Sequence, residues 1–278
     1  MGLRVSTNIA AINAQRNLSG SQMNIQDSLA KLSSGSRINK AADDAAGLAI
    51  SENMKAGIRS TRQANRNAND GISMVQTAEG GLNEIGNIVV RMRELGIQAA
   101  SDTVGETERG FIDKEIQQLK SEANRIANVT TWGHTKLLDG STPVFDFQVG
   151  IFNNEAEDRI SFDSSQNVAT LDALGLSGLD YHTKEGAQSA LSQLDTAQTN
   201  VNGMRANLGA LQNRLLSTVN NLGVFEENMS AANSRIRDTD VASASSELTR
   251  NTIMLQGSTA ALAQANQSSN VALSLIKG

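Results

Sequence analysis

The chain has 278 residues, 39% of them hydrophobic but only 3% aromatic, with 24 Lys plus Arg against 29 Asp plus Glu and a net charge of -5. The acidic balance argues against a nucleic-acid binder, and the lack of cysteine excludes disulfides, thiolate metal sites and cysteine nucleophiles. Few aromatics and a single proline, Pro143, leave a thin core of Ala, Leu, Ile and Val, which suits long helices in narrow bundles.

No apolar run reaches the about 18 residues of a membrane helix. The start, MGLRVSTNIAAINAQRNL, lacks the uninterrupted apolar centre of a signal peptide, so composition alone points to the cytosol. Residues 3–33 read as an amphipathic helix with Val5, Ile9 and Ile12 on one stripe and Leu18, Ile25, Leu29 and Leu32 on another. Ser33, Ser34, Gly35 and Ser36 then mark a linker, and Asp43 or Asp44 is placed to cap the next helix.

That helix carries a long seam: Ile50, Met54, Gly57, Thr61, Ala64, Ala68, Gly71, Val75, Ala78, Leu82, Ile85, Val89, Met92 and Gly96. Asn69-Asp70-Gly71 is a hairpin-turn sequence, but the seam runs through it without a slip, which predicts an unbroken helix. A shorter helix follows over about 106–129, with Ile112, Ile116, Leu119, Ala123 and Ile126 on its seam and Thr103 and Glu106 spaced as a capping box.

The period then falls to two. Phe145, Phe147, Val149 and Ile151 alternate with polar residues or glycine, and Arg159-Ile160-Ser161-Phe162 supplies a second strand, so a small hairpin is expected. From Ala187 to Ile236 apolar or small residues recur at steps of three and four: Ala187, Ala190, Leu194, Ala197, Val201, Met204, Leu208, Leu211, Leu215, Thr218, Leu222, Phe225, Met229, Ala232 and Ile236. One helix of roughly 75 Å, at about 1.5 Å per residue, carries all of them and needs partner helices along its length.

The last helix, about 240–276, has a sharper repeat. Val241, Leu248, Leu255, Leu262 and Ile276 fall on one heptad position, with Ser269 its one polar member, while Ala244, Asn251, Ser258, Ala265 and Ala272 follow three residues after successive members of that series. Large residues on one edge and small ones on the other make a surface for tight helix packing. So few large residues do not hold a helix of this length alone, so both terminal segments are expected to be largely disordered in the monomer and to fold when other subunits bury them.

Catalytic and ligand chemistry finds little support. His134 and His182 lie in predicted loops without an H-E-x-x-H arrangement, and Asp43-Asp44 and Asp238-Thr239-Asp240 each precede a helix, where capping explains them. Gly35 and Gly80-Gly81 lack the Lys-Ser/Thr of a phosphate loop. No cofactor and no metal site is expected, and no enzyme activity.

The residues themselves point to a family. LSSGSRINKAADDAAGLAIS from Leu32, RNANDGISMVQTAEGGLNEI from Arg66 and RMRELGIQAAS from Arg91 closely resemble the amino-terminal core of bacterial flagellin. ANLGALQNRL from Ala206, SAANSRIRDTDVA from Ser230 and LAQANQSSNVALSLI from Leu262 resemble its carboxyl-terminal signature, so the likeness covers about residues 1–140 and 187–276. About 45 residues separate the two halves, which resembles a core-only flagellin lacking the large variable outer domains.

The resemblance implies a mainly α fold, a long antiparallel helical bundle or coiled coil with a small β-hairpin region. It implies terminal helices, 1–43 and 239–278, forming the filament's inner core, and a rod-like helical domain, 44–238, with the hairpin region at about 140–183. It implies a structural subunit of a helical homo-oligomeric motility filament, and it reverses the cytosolic expectation: flagellins leave the cell through the flagellar export apparatus, with a flagellin chaperone, and meet the filament cap and hook-associated proteins outside. The filament can be bare, sheathed or periplasmic. Self-assembly would rest on Val5, Ile9, Ile12, Leu29, Leu32, Val241, Leu248, Leu255, Leu262, Ala265 and Ala272. Residues matching those that contact the vertebrate Toll-like flagellin receptor are Arg91, Leu95 and Glu115. The rivals are a hook-filament junction protein, an enzyme-bearing flagellin, for which the intervening segment is too short, and a soluble binding module built on the bundle.

Overall fold

The computed structural model describes residues 7–141 and 144–277, with side chains described through residue 267. It is mainly α: α1 (Ile9–Ser34), α2 (Ala45–Ala99), α3 (Glu106–Val129), a one-turn α4 (Glu155–Asp158), α5 (Lys184–Arg237) and α6 (Val241–Lys277). Strands β1 (Thr131–Trp132) and β2 (Thr135–Lys136) form one antiparallel pair, and β3 (Val144–Gln148) and β4 (Arg159–Asp163) form another. By its contacts the chain divides into two units, Met1–Ala56 with Asn228–Gly278, and Gly57–Glu227.

In the second unit α2 and α5 run antiparallel, as three ion pairs along them show: Arg62 with Glu226 at 2.6 Å, Glu79 with Arg205 at 3.8 Å, and Arg93 with Asp195 at 2.6 Å. Between those rims the predicted seams close on each other. Ala68, Val75, Ala78, Leu82, Ile85, Val89 and Met92 of α2 are buried in one cluster with Ala187, Ala190, Leu194, Ala197, Val201, Leu208 and Leu215 of α5. The α3 residues Ile112 and Ile116 join the same cluster. Near its end in this unit the α5 seam opens, and Phe225 is exposed.

The Asn69-Asp70-Gly71 turn signal is overridden by packing. A Cβ at position 71 would lie 3.1 Å from Cδ1 of Phe147, so the glycine lets the β3 ring sit directly on the helix backbone. The Asn67 side-chain amide reinforces the contact by donating to the Gln148 carbonyl at 3.0 Å. In the hairpin Phe145 opposes Phe162 and Phe147 opposes Ile160, and the Phe145 and Phe162 rings lie 5.8 Å apart. Cross-strand apolar pairs of this kind fix the register.

One local expectation is corrected and another is narrowed to a single residue. The capping box at Thr103 and Glu106 does not form: α3 is capped by Gly105 without a side-chain bond, and the Thr103 hydroxyl bonds Ser101 at 2.7 Å instead. The acidic pair before α2 divides its work. Asp44 accepts from the Gly47 N–H at 2.8 Å as the cap, while Asp43 accepts from Asn39 and Lys40, both at 3.0 Å, and closes the preceding loop. The β1–β2 pair is too short to leave a period in the sequence.

Candidate functional site

In the first unit α1 packs along α6, and the two run antiparallel. The Asn8 side-chain amide donates to the Ala265 carbonyl at 2.8 Å near one end. Toward the other, the Arg37 N–H donates to Arg237 O at 2.6 Å and the Thr239 N–H to Gly35 O at 2.9 Å. Gly35 ends α1 with φ 68°, a left-handed cap that glycine adopts without a Cβ clash. Asp240 starts α6 by accepting from the Ala242 N–H at 2.9 Å.

Among the α1 residues that lose solvent, Ala11, Ala14, Leu18, Ser21, Ile25, Ser28 and Leu32 form a complete run of threes and fours. Splitting this helix into two stripes missed it, because Ser21 and Ser28 read as polar. They are buried for their size. The facing series on α6 is Ala244, Leu248, Asn251, Leu255, Ser258, Leu262 and Ala265, all buried or half-buried. Large residues on each helix thus alternate with small ones, which lets the backbones approach.

The residues singled out for self-assembly therefore divide. Leu32, Leu248, Leu255, Leu262 and Ala265 lie on the seam within the chain. Ile9, Ile12, Leu29 and Val241 point away from it, at 56, 57, 50 and 62% exposure, and Met23, Ile253 and Met254 are exposed with them. Val5 and the side chain of Ala272 lie outside the described residues. A helical pair that leaves this many large apolar side chains in water has faces still to be covered.

On the second unit, Arg91 of α2 reaches across to α3. Its guanidinium donates to the Glu115 carboxylate at 2.9 and 3.2 Å and to Glu94 at 3.0 Å, and these bonds, Glu115 first, raise its pKa above the ordinary arginine value. Val90, Ile97 and Phe111 are exposed, with the Lys114 ammonium 5.7 Å from the centre of the Phe111 ring. Leu95 does not share this surface. It is 3% exposed within the core of the single chain, so of the three residues Arg91 and Glu115 are the exposed pair.

Comparison with known proteins decides the family. The profile of the bacterial flagellin N-terminal helical region matches residues 5–142, and that of the bacterial flagellin C-terminal helical region matches residues 191–276. The chain belongs to the bacterial flagellin family.

As a flagellin it is 43% identical over 273 residues to a flagellin of Halalkalibacterium halodurans, covering 98% of this chain and 99% of that one. It is 40% identical over 286 residues to a flagellar filament core protein of Brachyspira hyodysenteriae, covering 98% and 99%. The crystal structure of Bacillus cereus flagellin superimposes with a TM-score of 0.50 at 30% identity, over 60% of this chain and 94% of that one. Flagellins are structural proteins rather than enzymes. What lies between the two family regions in this flagellin is the β3–β4 hairpin and the segment leading into α5.

Proposed function

We propose that the chain is a structural subunit that polymerises into the bacterial flagellar filament and serves motility. Family membership at both ends carries the reading, and the unpaired apolar faces of α1 and α6 support it, since copies of the chain are what a filament supplies to cover them. Nothing in the comparisons favours the hook-filament junction protein.

Several finer readings belong to the same proposal. The terminal segments, 1–43 and 239–278, build the filament's inner core, and they become fully ordered only on assembly. Full amide protection of both in a verified monomer would argue against that. Ile9, Ile12, Leu29 and Val241, exposed in the single chain, are the residues that meet neighbouring subunits. The subunit leaves the cell through the flagellar export apparatus with a chaperone's help, and it is added beneath the filament cap beyond the hook-associated proteins. Arg91 and Glu115 form the receptor-facing pair, accessible in monomers and covered in filaments.

Expression in a motile bacterium deleted for its own flagellins tests the reading. Long extracellular filaments and restored swimming are expected. Secretion of a chain that forms only short rings at the hook would favour the junction protein instead.

A further inference from the structure

The turn that joins β3 to β4 presents an acidic and aromatic knob. Phe152 is 72% exposed, the most of any large hydrophobic side chain among the described residues. Glu155 and Glu157 of α4 are exposed with it and make no ion pair among the described residues. The other charges of the turn are already engaged. Arg159 donates to Asn153 Oδ1 at 2.7 Å and to Gln148 Oε1 at 3.3 Å, and Asp158 is buried, accepting from the Asn154 N–H at 3.0 Å.

The opposite chemistry stands on α2. Arg59, Arg62 and Arg66 recur at steps of three and four, so they share one face of the helix, and all are exposed. Arg62 is paired with Glu226 at 2.6 Å. Arg66 donates only to the neutral Gln63 side chain, and Arg59 has no hydrogen bond or ion pair among the described residues. Glu226 follows Phe225, itself 41% exposed, so an apolar side chain stands at the level of these arginines. The base of the hairpin is seated on the same helix, Phe147 against Gly71 and Gln148 bonded to Asn67, yet Glu155 and Glu157 do not pair with the arginines of their own chain.

We infer that the β3–β4 turn of one subunit docks on the Arg59–Arg66 face of a second copy of this chain, with Glu155 and Glu157 meeting Arg59 and Arg66 and Phe152 covering apolar surface beside them. Charge complementarity of this kind fixes register, and arginine and aromatic side chains are the ones that anchor protein interfaces. A turn on one copy that meets a different face on the next makes a head-to-tail contact, which propagates into a filament when the rotation does not close a ring. The inference rests on the filament reading and names one contact within it.

Elongation of purified chain from short filament seeds, followed by light scattering and electron microscopy, is the test. Arg59→Glu with Arg66→Glu reverses the face, and Glu155→Arg with Glu157→Arg reverses the turn. All four side chains are exposed, so circular dichroism should show both variants folded as the parent is. Each variant alone sets like charges against each other and should lose elongation beyond the seed by at least about tenfold. An equal mixture of the two should recover it, because each variant then offers the charge that the other needs. Pairing within one chain is not restored by mixing, so recovery is specific to contact between copies. Elongation of either variant alone at the parent's rate, or no recovery in the mixture, overturns the inference. Failure of the parent itself to elongate overturns the filament reading on which it rests.

Discussion

Single side chains in this flagellin act mostly through exposed polar contacts, and their effects separate by where they are read out. Arg91 and Glu115 are each about half exposed, and ion pairs in such settings contribute little to folding. Arg91→Ala should therefore leave the urea midpoint of the monomer essentially unchanged, while signalling through a flagellin receptor falls. An Arg91→Ala monomer with unchanged signalling would count against the receptor reading. Carboxylates behave differently with pH. Asp163 is held below its ordinary 3.8 by the Ser165 hydroxyl and then the Ser165 N–H, and Asp43 by the N–H groups of Asn39 and Lys40. Groups whose pKa is lowered on folding stabilise the fold above the unfolded value and lose that contribution as pH falls through the folded one. Stability should thus fall below about pH 4. Asp163→Asn should flatten that acid limb in denaturant midpoints taken from pH 7 to pH 3, and an unchanged limb would remove Asp163 from the account.

Helices show how far pattern alone reaches. The seams of α2 and α5 were legible because every third or fourth residue is apolar or small, and from Ala68 to Met92 and from Ala187 to Leu215 these are the residues packed in the core, whereas Ile50 and Phe225 at the seam ends are exposed. The α1 seam was not legible, since Ser21 and Ser28 are buried for smallness rather than apolarity, a property hydrophobic periodicity does not register. The capping box failed for a local reason: α3 begins at Glu106, after Gly105, so Thr103 stands two residues before the N-cap position. Neighbouring glycines in α2 make the same point about context. At Gly80 an added Cβ meets nothing within 4 Å, whereas at Gly81 it would lie 2.6 Å from Thr130 Oγ1 and 2.9 Å from Leu138 Cδ1. Gly80→Ala should stabilise the monomer by about 0.5–1 kcal/mol through helix propensity. Gly81→Ala should destabilise it despite the same propensity gain, because a β-branched side chain and a packed leucine must both give way. Chemical denaturation of the two variants checks this, and equal effects would mean that Gly81 is not a close-approach site.

At the scale of the whole molecule, the sequence declared a family more clearly than it declared a site. The bundle and hairpin follow from periodicity, and the flagellin motifs add what the single chain is for. The 3.3 Å contact between His182 Nε2 and an Asp113 carboxylate oxygen was hidden because its members come from separate segments, and the core position of Leu95 was hidden because a motif carries no burial. Assembly remains a property of many copies, and its physical trace here is the apolar surface that α1 and α6 leave to solvent when paired with each other. The most direct measurement is electron microscopy of purified chain seeded with short filament fragments, beside a version lacking residues 241–278. Long filaments from the full chain and none from the truncated one are the predicted result. Persistent monomers or short rings from the full chain, or filaments from the truncated one, would contradict a filament subunit that assembles through its terminal helices.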